Sequence, residues 1–287
     1  MKIFISFMIV FLLLLSVGVE IDKGALELQN EAFNRAMITF GIAKSLNALI
    51  SFIQGTELSL SPAGLGLTLS VGEILDPLND MVERFSWVML LASISLGIQK
   101  FLLIISGKLF LQTIFVLSGI ISLVMIWYKK LHQNIFFTYS LKIFILLVFL
   151  RFGAIVFIYF SQFTYGAILE NEYKQSLQIV ENTKTELESY QHKSTTQVQE
   201  SDENIFTRIK KHYTSSLESM NISKQLEAIE ESSNKAFNNI VVLITIFIVE
   251  SILLPLLYIW LVINSVKFVF RSELKYDTLK NMYNKNY

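Results

Sequence analysis

Two ionisable side chains stand deep inside apolar runs: Arg151 within LKIFILLVFLRFGAIVFIYF and Glu250 within VVLITIFIVESILLPLLYIW. A charge at the centre of a membrane span costs roughly 2.5–3.5 kcal/mol even on an insertion scale, so it marks a partner, a path or a structural ion pair. Counted inward from Phe163 and Ile240, Arg151 lies twelve residues deep and Glu250 ten. At 1.5 Å per residue those depths are about 18 and 15 Å, within one helical turn of each other. Arginine donates to a carboxylate through a two-pronged fork, and Arg151 and Glu250 are therefore expected to pair inside the membrane. Lys100, in an apolar stretch that dips toward the same leaflet, is the fallback partner for Glu250. Such a pair reads as interhelical glue, as part of a proton or ion path, or as a contact to lipid headgroups or a partner subunit. Pro255 has no N–H to donate, which frees a backbone carbonyl and kinks the last span.

Little else in the chain could do chemistry. GxSxG, HExxH, P-loop and GxGxxG motifs are absent, and GLGLTL has the wrong spacing for a dinucleotide fingerprint. There is no cysteine, which excludes thiol nucleophiles, disulfides and thiolate metal sites. His132, His192 and His212 read as solvated surface, and Glu230 with Glu231 as the wet face of a helix. The oxygens of Glu73, Asp76, Asn79, Asp80 and Glu83 lack the spacing of a calcium loop and are better read as a helix start, with Asp76 as N-cap and Pro77 at the first helical position. No catalytic, cofactor-binding or metal residue is assigned, and an enzyme is not expected. Twenty-four basic residues balance twenty-four acidic ones, which leaves no basic footprint for nucleic acid.

The elements that must position Arg151 and Glu250 are membrane helices. Hydrophobic residues make up 53% of the chain and are gathered into runs. About 20 apolar residues match a hydrocarbon core of roughly 30 Å. The segments 109–128, 143–163 and 239–263 meet that length. Residues 1–19 form a signal peptide or an N-terminal anchor, with Ser16-Val17-Gly18 as a small-x-small cleavage pattern.

Residues 20–108 read as a membrane-apposed module. Its first part, 26–53, is an amphipathic helix in which Lys44 and Asn47 argue against a true span. Leucines alternating with small and hydroxyl residues on both sides of Pro62-Ala63-Gly64 predict a β-hairpin over 56–71. The stretch 86–106, interrupted by Gly97, Gln99 and Lys100, is expected to be interfacial or re-entrant. That choice sends 109–128 inward, so that Lys129, Lys130 and the tail 264–287 are cytoplasmic, as the positive-inside rule favours. Between the last two spans, 164–238 carries Tyr173, Leu177, Val180 and Leu187, then Phe206, Ile209, Tyr213, Leu217 and Met220. This spacing predicts an extracytoplasmic stalk of two helices joined by a turn near 191–204, with an interruption at Asn221-Ile222-Ser223 and a coiled-coil character broken by Lys184 and Ser194.

The run GTELSLSPAGLGLTLSVGEILDPLNDMVERFSW, with the late ESILLPLLYIW, resembles a group of uncharacterised bacterial inner-membrane proteins. The resemblance implies a bacterial envelope location and supplies no activity, cofactor or active site. The expected fold is an all-α integral membrane protein with a small extracytoplasmic β-hairpin and a helical-hairpin stalk, placed multi-pass in the bacterial inner membrane with a cytoplasmic C-terminus. The expected role is a non-enzymatic scaffold, sensor or assembly subunit that contacts the lipid bilayer and an envelope protein or a second copy of itself. The alternative is an oligomeric ion or proton channel or transporter subunit that uses Lys100, Arg151 and Glu250.

Overall fold

The computed structural model describes residues 2–59, 70–128, 135–199 and 205–271. They form helices α1 (Lys2–Val17), α2 (Val19–Ser59), α3 (Ser70–Ser106), α4 (Leu109–Trp127), α5 (Ile135–Thr164), α6 (Glu170–Gln199), α7 (Ile205–Ile248) and α8 (Leu254–Arg271). Two π-helical turns, Tyr165–Leu169 and Val249–Leu253, join α5 to α6 and α7 to α8. Among the described residues five helical segments are long and apolar enough to cross a bilayer: Ile21–Gln54, Glu73–Ser106, Leu109–Trp127, Phe136–Ser189 and Glu227–Phe270. The protein is a multi-pass helical membrane protein.

Four sequence expectations are corrected. No strand occurs among the described residues, and the described ends of the expected β-hairpin are helical. Thr56 to Ser59 close α2, Ser70 and Val71 open α3, and the rest of the hairpin stretch, 60–69, lies outside the described residues. The stripe Leu46, Ile50 and Ile53 is buried at helical spacing and carries α2 onward through Glu57 and Leu58, both good helix formers. The stretch 86–106 contains no re-entrant turn, because α3 runs unbroken for 37 residues. Asp76 and Pro77 lie inside α3 rather than at its start, and Asp76 Oδ1 accepts from Gln54 Nε2 at 2.7 Å. Finally, α7 passes through 221–223 without interruption.

The chain divides into two compact units. The first comprises Met1–Asn34, Ile94–Gly166 and Glu250–Tyr287, and the second comprises Arg35–Ser93 and Ala167–Val249. In the second unit the buried positions recur alternately at three and four residues, as in Tyr173, Ser176, Val180, Thr183 and Leu187 of α6 and Ile229, Ser233, Ala236, Ile240 and Leu243 of α7. This 3.5-residue period gives each helix one seam to bury. The two helices pack antiparallel, with Thr183 Oγ1 donating to Ser232 O at 3.4 Å and Tyr173 set edge-on to Phe247. Thr39 on α2 shares a 3.1 Å hydrogen bond with Tyr173 Oη. Here polar side chains such as Lys44, Ser45 and Ser51 face outward beside a few apolar ones, Met37, Ile38 and Phe52 among them.

The first unit is built differently. Its outward surface is apolar over Ile3, Phe4, Phe7 and Phe11 of α1, Ile98, Phe101 and Leu102 of α3, Leu117, Ile120 and Val124 of α4, and Leu256, Ile259 and Trp260 of α8. Lipid is as apolar as leucine, so these helices are held together by close approach and by buried polar contacts rather than by exclusion of water. Gly119 supplies one close approach: a Cβ there would lie 2.7 Å from Leu13 Cδ2 and 3.1 Å from Phe144 Cε2. Phe115 and Phe144 stack at 5.3 Å beside it. The contacts Trp127 to Ser6, Ser122 to Ser140 and Lys142 to Phe270 O bring the start of α1, the end of α4, the start of α5 and the end of α8 to one end of this unit.

Candidate functional site

The site forms where two helical paths break side by side. α1 ends at Val17 and α2 begins at Val19, with Gly18 N–H donating to Leu15 O at 3.1 Å. α3 ends at Ser106 and α4 begins at Leu109, with Gly107 N–H donating to Leu103 O and Lys108 N–H to Ile105 O. A Cβ on Gly107 would stand 3.7 Å from Asp22 Oδ2, which places the second break beside the first turn of α2.

A helix end leaves carbonyl groups without intrahelical donors. At the end of α1, Ser16 O accepts from Gln112 Nε2 at 2.8 Å and from Arg151 Nη2 at 3.2 Å, and Ser16 Oγ accepts from Arg151 Nε at 3.4 Å. Arg151 reaches in from α5. Its Nη1 donates to Asp22 Oδ1 at 2.8 Å and its Nη2 to Asp22 Oδ2 at 2.6 Å, a two-pronged charge-assisted pair. Both charges suit the helix dipoles, with the cation at the C-terminal end of α1 and the acid in the first turn of α2. Arg151 is 3% exposed and Asp22 27%, so only the acid is accessible from outside the packing. That access is a cavity of about 300 Å³, lined by Ser16, Asp22, Lys23, Leu26, Leu103, Ile104, Gly107, Lys108 and Gln112.

The acid that meets Arg151 is thus Asp22, and the Arg151–Glu250 pair expected from matched depths is not formed. Depth fixes level along a helix and leaves the facing direction open, and Arg151 faces α1 and α2. Lys100 is not the partner of Glu250 either, since its Nζ stacks 5.6 Å over the Phe33 ring. Glu250 is 1% exposed and lies with buried Ser251 in the second π turn. The carbonyl that Pro255 leaves without its helical donor is that of Ser251, four residues earlier, and it accepts from Ser95 Oγ at 2.6 Å.

The chain matches no family model, no curated protein and no solved structure. The site therefore stands on its geometry.

Asp22 and Ser16 were missed from sequence because the residues after the first apolar run read as the flank of a leader. A usable signal was present: an acid within one turn of a Gly-marked break, in a chain with a lone arginine inside a span. Among the described residues no group of three His, Asp or Glu side chains is placed to hold a metal ion. His192 and His212 lie on α6 and α7, and His132 is outside the described residues.

Proposed function

We propose that the chain is a subunit of an oligomeric ion- or proton-translocating assembly of the bacterial inner membrane, in which Asp22 is the exchanging group and Arg151 its fixed countercharge. The observation that carries this reading is the Arg151–Asp22 pair lodged at two adjacent helix breaks, with its acid opening onto a cavity. Helices interrupted around a charge let a membrane protein present ions and protons to a polar recess while lipid sees only apolar surface. A cavity of about 300 Å³ holds roughly ten waters at ~30 Å³ each. The recess is confined to the residues around the two helix breaks, so further copies of the chain complete the path across the bilayer.

Orientation follows from the basic residues. The end of the first unit where α1 starts and α8 finishes carries Lys2, Lys142 and Lys267 and leads into Lys129, Lys130 and the basic tail. The positive-inside rule assigns that end, and the C-terminus, to the cytoplasm.

The test is ion and proton flux into liposomes that contain the purified protein. Wild type should dissipate an imposed pH or cation gradient, and Asp22→Asn should slow the flux at least ten-fold while the protein stays folded. Equal flux in the two proteins, or none in wild type, removes this reading.

One observation favours a scaffold, sensor or assembly role instead: the second unit buries seams of its own and turns polar side chains outward, as a water-facing module does. Under that role, wild-type vesicles carry no flux and a stoichiometric envelope protein copurifies. Neither reading invokes an enzymatic activity.

A further inference from the structure

Asp22 neutralises one cation of the cavity, yet two more line it. Lys23 and Lys108 both border the recess, and neither has an ion-pair partner among the described residues. With Arg151 and Asp22 cancelling, the recess carries two net positive charges. Ser16, Gly107 and Gln112 line it at the helix breaks, and Leu26, Leu103 and Ile104 give it an apolar wall. The helix surface on either side, at Phe101, Leu109 and Phe110, is exposed and apolar as well. The recess is therefore amphipathic, cationic at Lys23 and Lys108 and oily along one wall.

We infer that this cavity binds an anionic phospholipid, with the phosphate held between Lys23 and Lys108 and the first carbons of a chain lying along Leu26, Leu103 and Ile104. Two lysines without a countercharge on an apolar surface call for an anion, which is the charge complementarity by which basic pockets between membrane helices take acidic headgroups. The apolar wall selects a lipid over a free phosphate, because inorganic phosphate would leave that wall bare. A lipid seated there would brace both helix breaks from outside and leave Arg151 and Asp22 paired within. The site does not depend on translocation, since a scaffold could hold the same lipid.

The experiment is native mass spectrometry of the full-length protein with bound lipid, titrating phosphatidylglycerol against phosphatidylcholine. Wild type should retain phosphatidylglycerol in preference. Lys23→Gln and Lys108→Gln should each weaken apparent affinity about five-fold, and the double variant roughly 25-fold, in line with the contribution of one basic residue at an anionic membrane surface. Lys23→Arg with Lys108→Arg should keep the preference, and so should Lys44→Gln in the second unit. Melting in phosphatidylcholine alone should be the same for wild type and the double glutamine variant, which separates loss of the site from loss of the fold. If the double variant does not fold, the two single variants carry the test. Free glycerol phosphate should compete poorly. Equal retention of both lipids by wild type, undiminished phosphatidylglycerol binding in the glutamine variants, or full competition by glycerol phosphate would each overturn the inference.

Discussion

Replacing Asp22 by leucine should destabilise the protein more than replacing Arg151. Asp22→Leu strands a guanidinium that is 3% exposed and removes its two charge-assisted hydrogen bonds, leaving only the neutral acceptors of Ser16. Breaking a buried pair from one side costs about 3–5 kcal/mol. Arg151→Leu instead leaves an acid that is 27% exposed at the cavity wall, where water replaces the lost donors. Its cost is nearer that of a hydrogen bond to a charged group, about 1.5–3 kcal/mol. The double leucine variant removes both charges, and it should recover about 2 kcal/mol relative to the sum of the singles. The assay is a double-mutant cycle on denaturant unfolding in mixed micelles, followed by tryptophan fluorescence. A larger loss in Arg151→Leu than in Asp22→Leu, or additive losses, would refute the reasoning. A second cycle on Arg151 and Glu250 should be additive within about 0.5 kcal/mol, as expected of residues that share no contact.

Three further outcomes are expected. Gly119→Val should cost about 1–3 kcal/mol by overpacking against Leu13 and Phe144, whereas Gly41→Ala, with nothing within 4 Å of its new Cβ, should stabilise α2 by roughly 0.5–1 kcal/mol; thermal melts of both variants check this. Reporter fusions should place residues near 195 outside the cytoplasm and residues 131 and 287 inside, and intact mass should include residues 1–18, because α1 packs through Ile9 and supplies Ser16 to Arg151. Lys174 and Lys235 hold the Glu170 and Glu231 carboxyls below the usual carboxylate range through hydrogen bonds and charge. Any stability these pairs add is present above the unfolded carboxylate value and is lost as pH falls through the lowered folded value. Both pairs are open to solvent, so the effect is slight; carboxyl NMR titration of Lys174→Ala and Lys235→Ala should show each acid returning upward.

Legibility from sequence tracked the strength of the local signal. The span at 109–128 reappears as α4, 109–127, and 143–163 lies within α5, because uninterrupted apolar length forces a helix in lipid. The stalk helices were likewise readable, since Tyr173, Val180 and Leu187 fall seven residues apart and all three are buried. Of the stretch 191–204 expected to hold their turn, 191–199 continue α6 and 200–204 lie outside the described residues. The hairpin, expected from a period of two on both sides of Pro62-Ala63-Gly64, was misread at its described ends, where a helical stripe arrives from Leu46 and carries α2 to Ser59. The ion pair was half legible. Arg151 announces itself by its setting, but its acid lies 129 residues away, past a glycine break, and the rotation of α5 about its own axis is written in no single segment.

The π turn at Tyr165–Leu169 has a consequence for how the gene can change. Its first residue, Tyr165, is buried, and the next buried tyrosine, Tyr173, follows eight residues later, one more than the seven-residue step between Tyr173 and Val180. One surplus residue is what a π turn accommodates while the helix on each side keeps its facing. Removing a single codon within 166–169 should therefore leave a plain α-helix and keep the seam from Tyr173 onward intact. The same deletion at Gln178, inside the seam, would turn every later residue of α6 by about 100° and carry Val180 out to solvent. A deletion tolerated by the fold at one place and ruinous twelve residues away would mark the extra residue as an insertion that the chain carries for some reason other than folding.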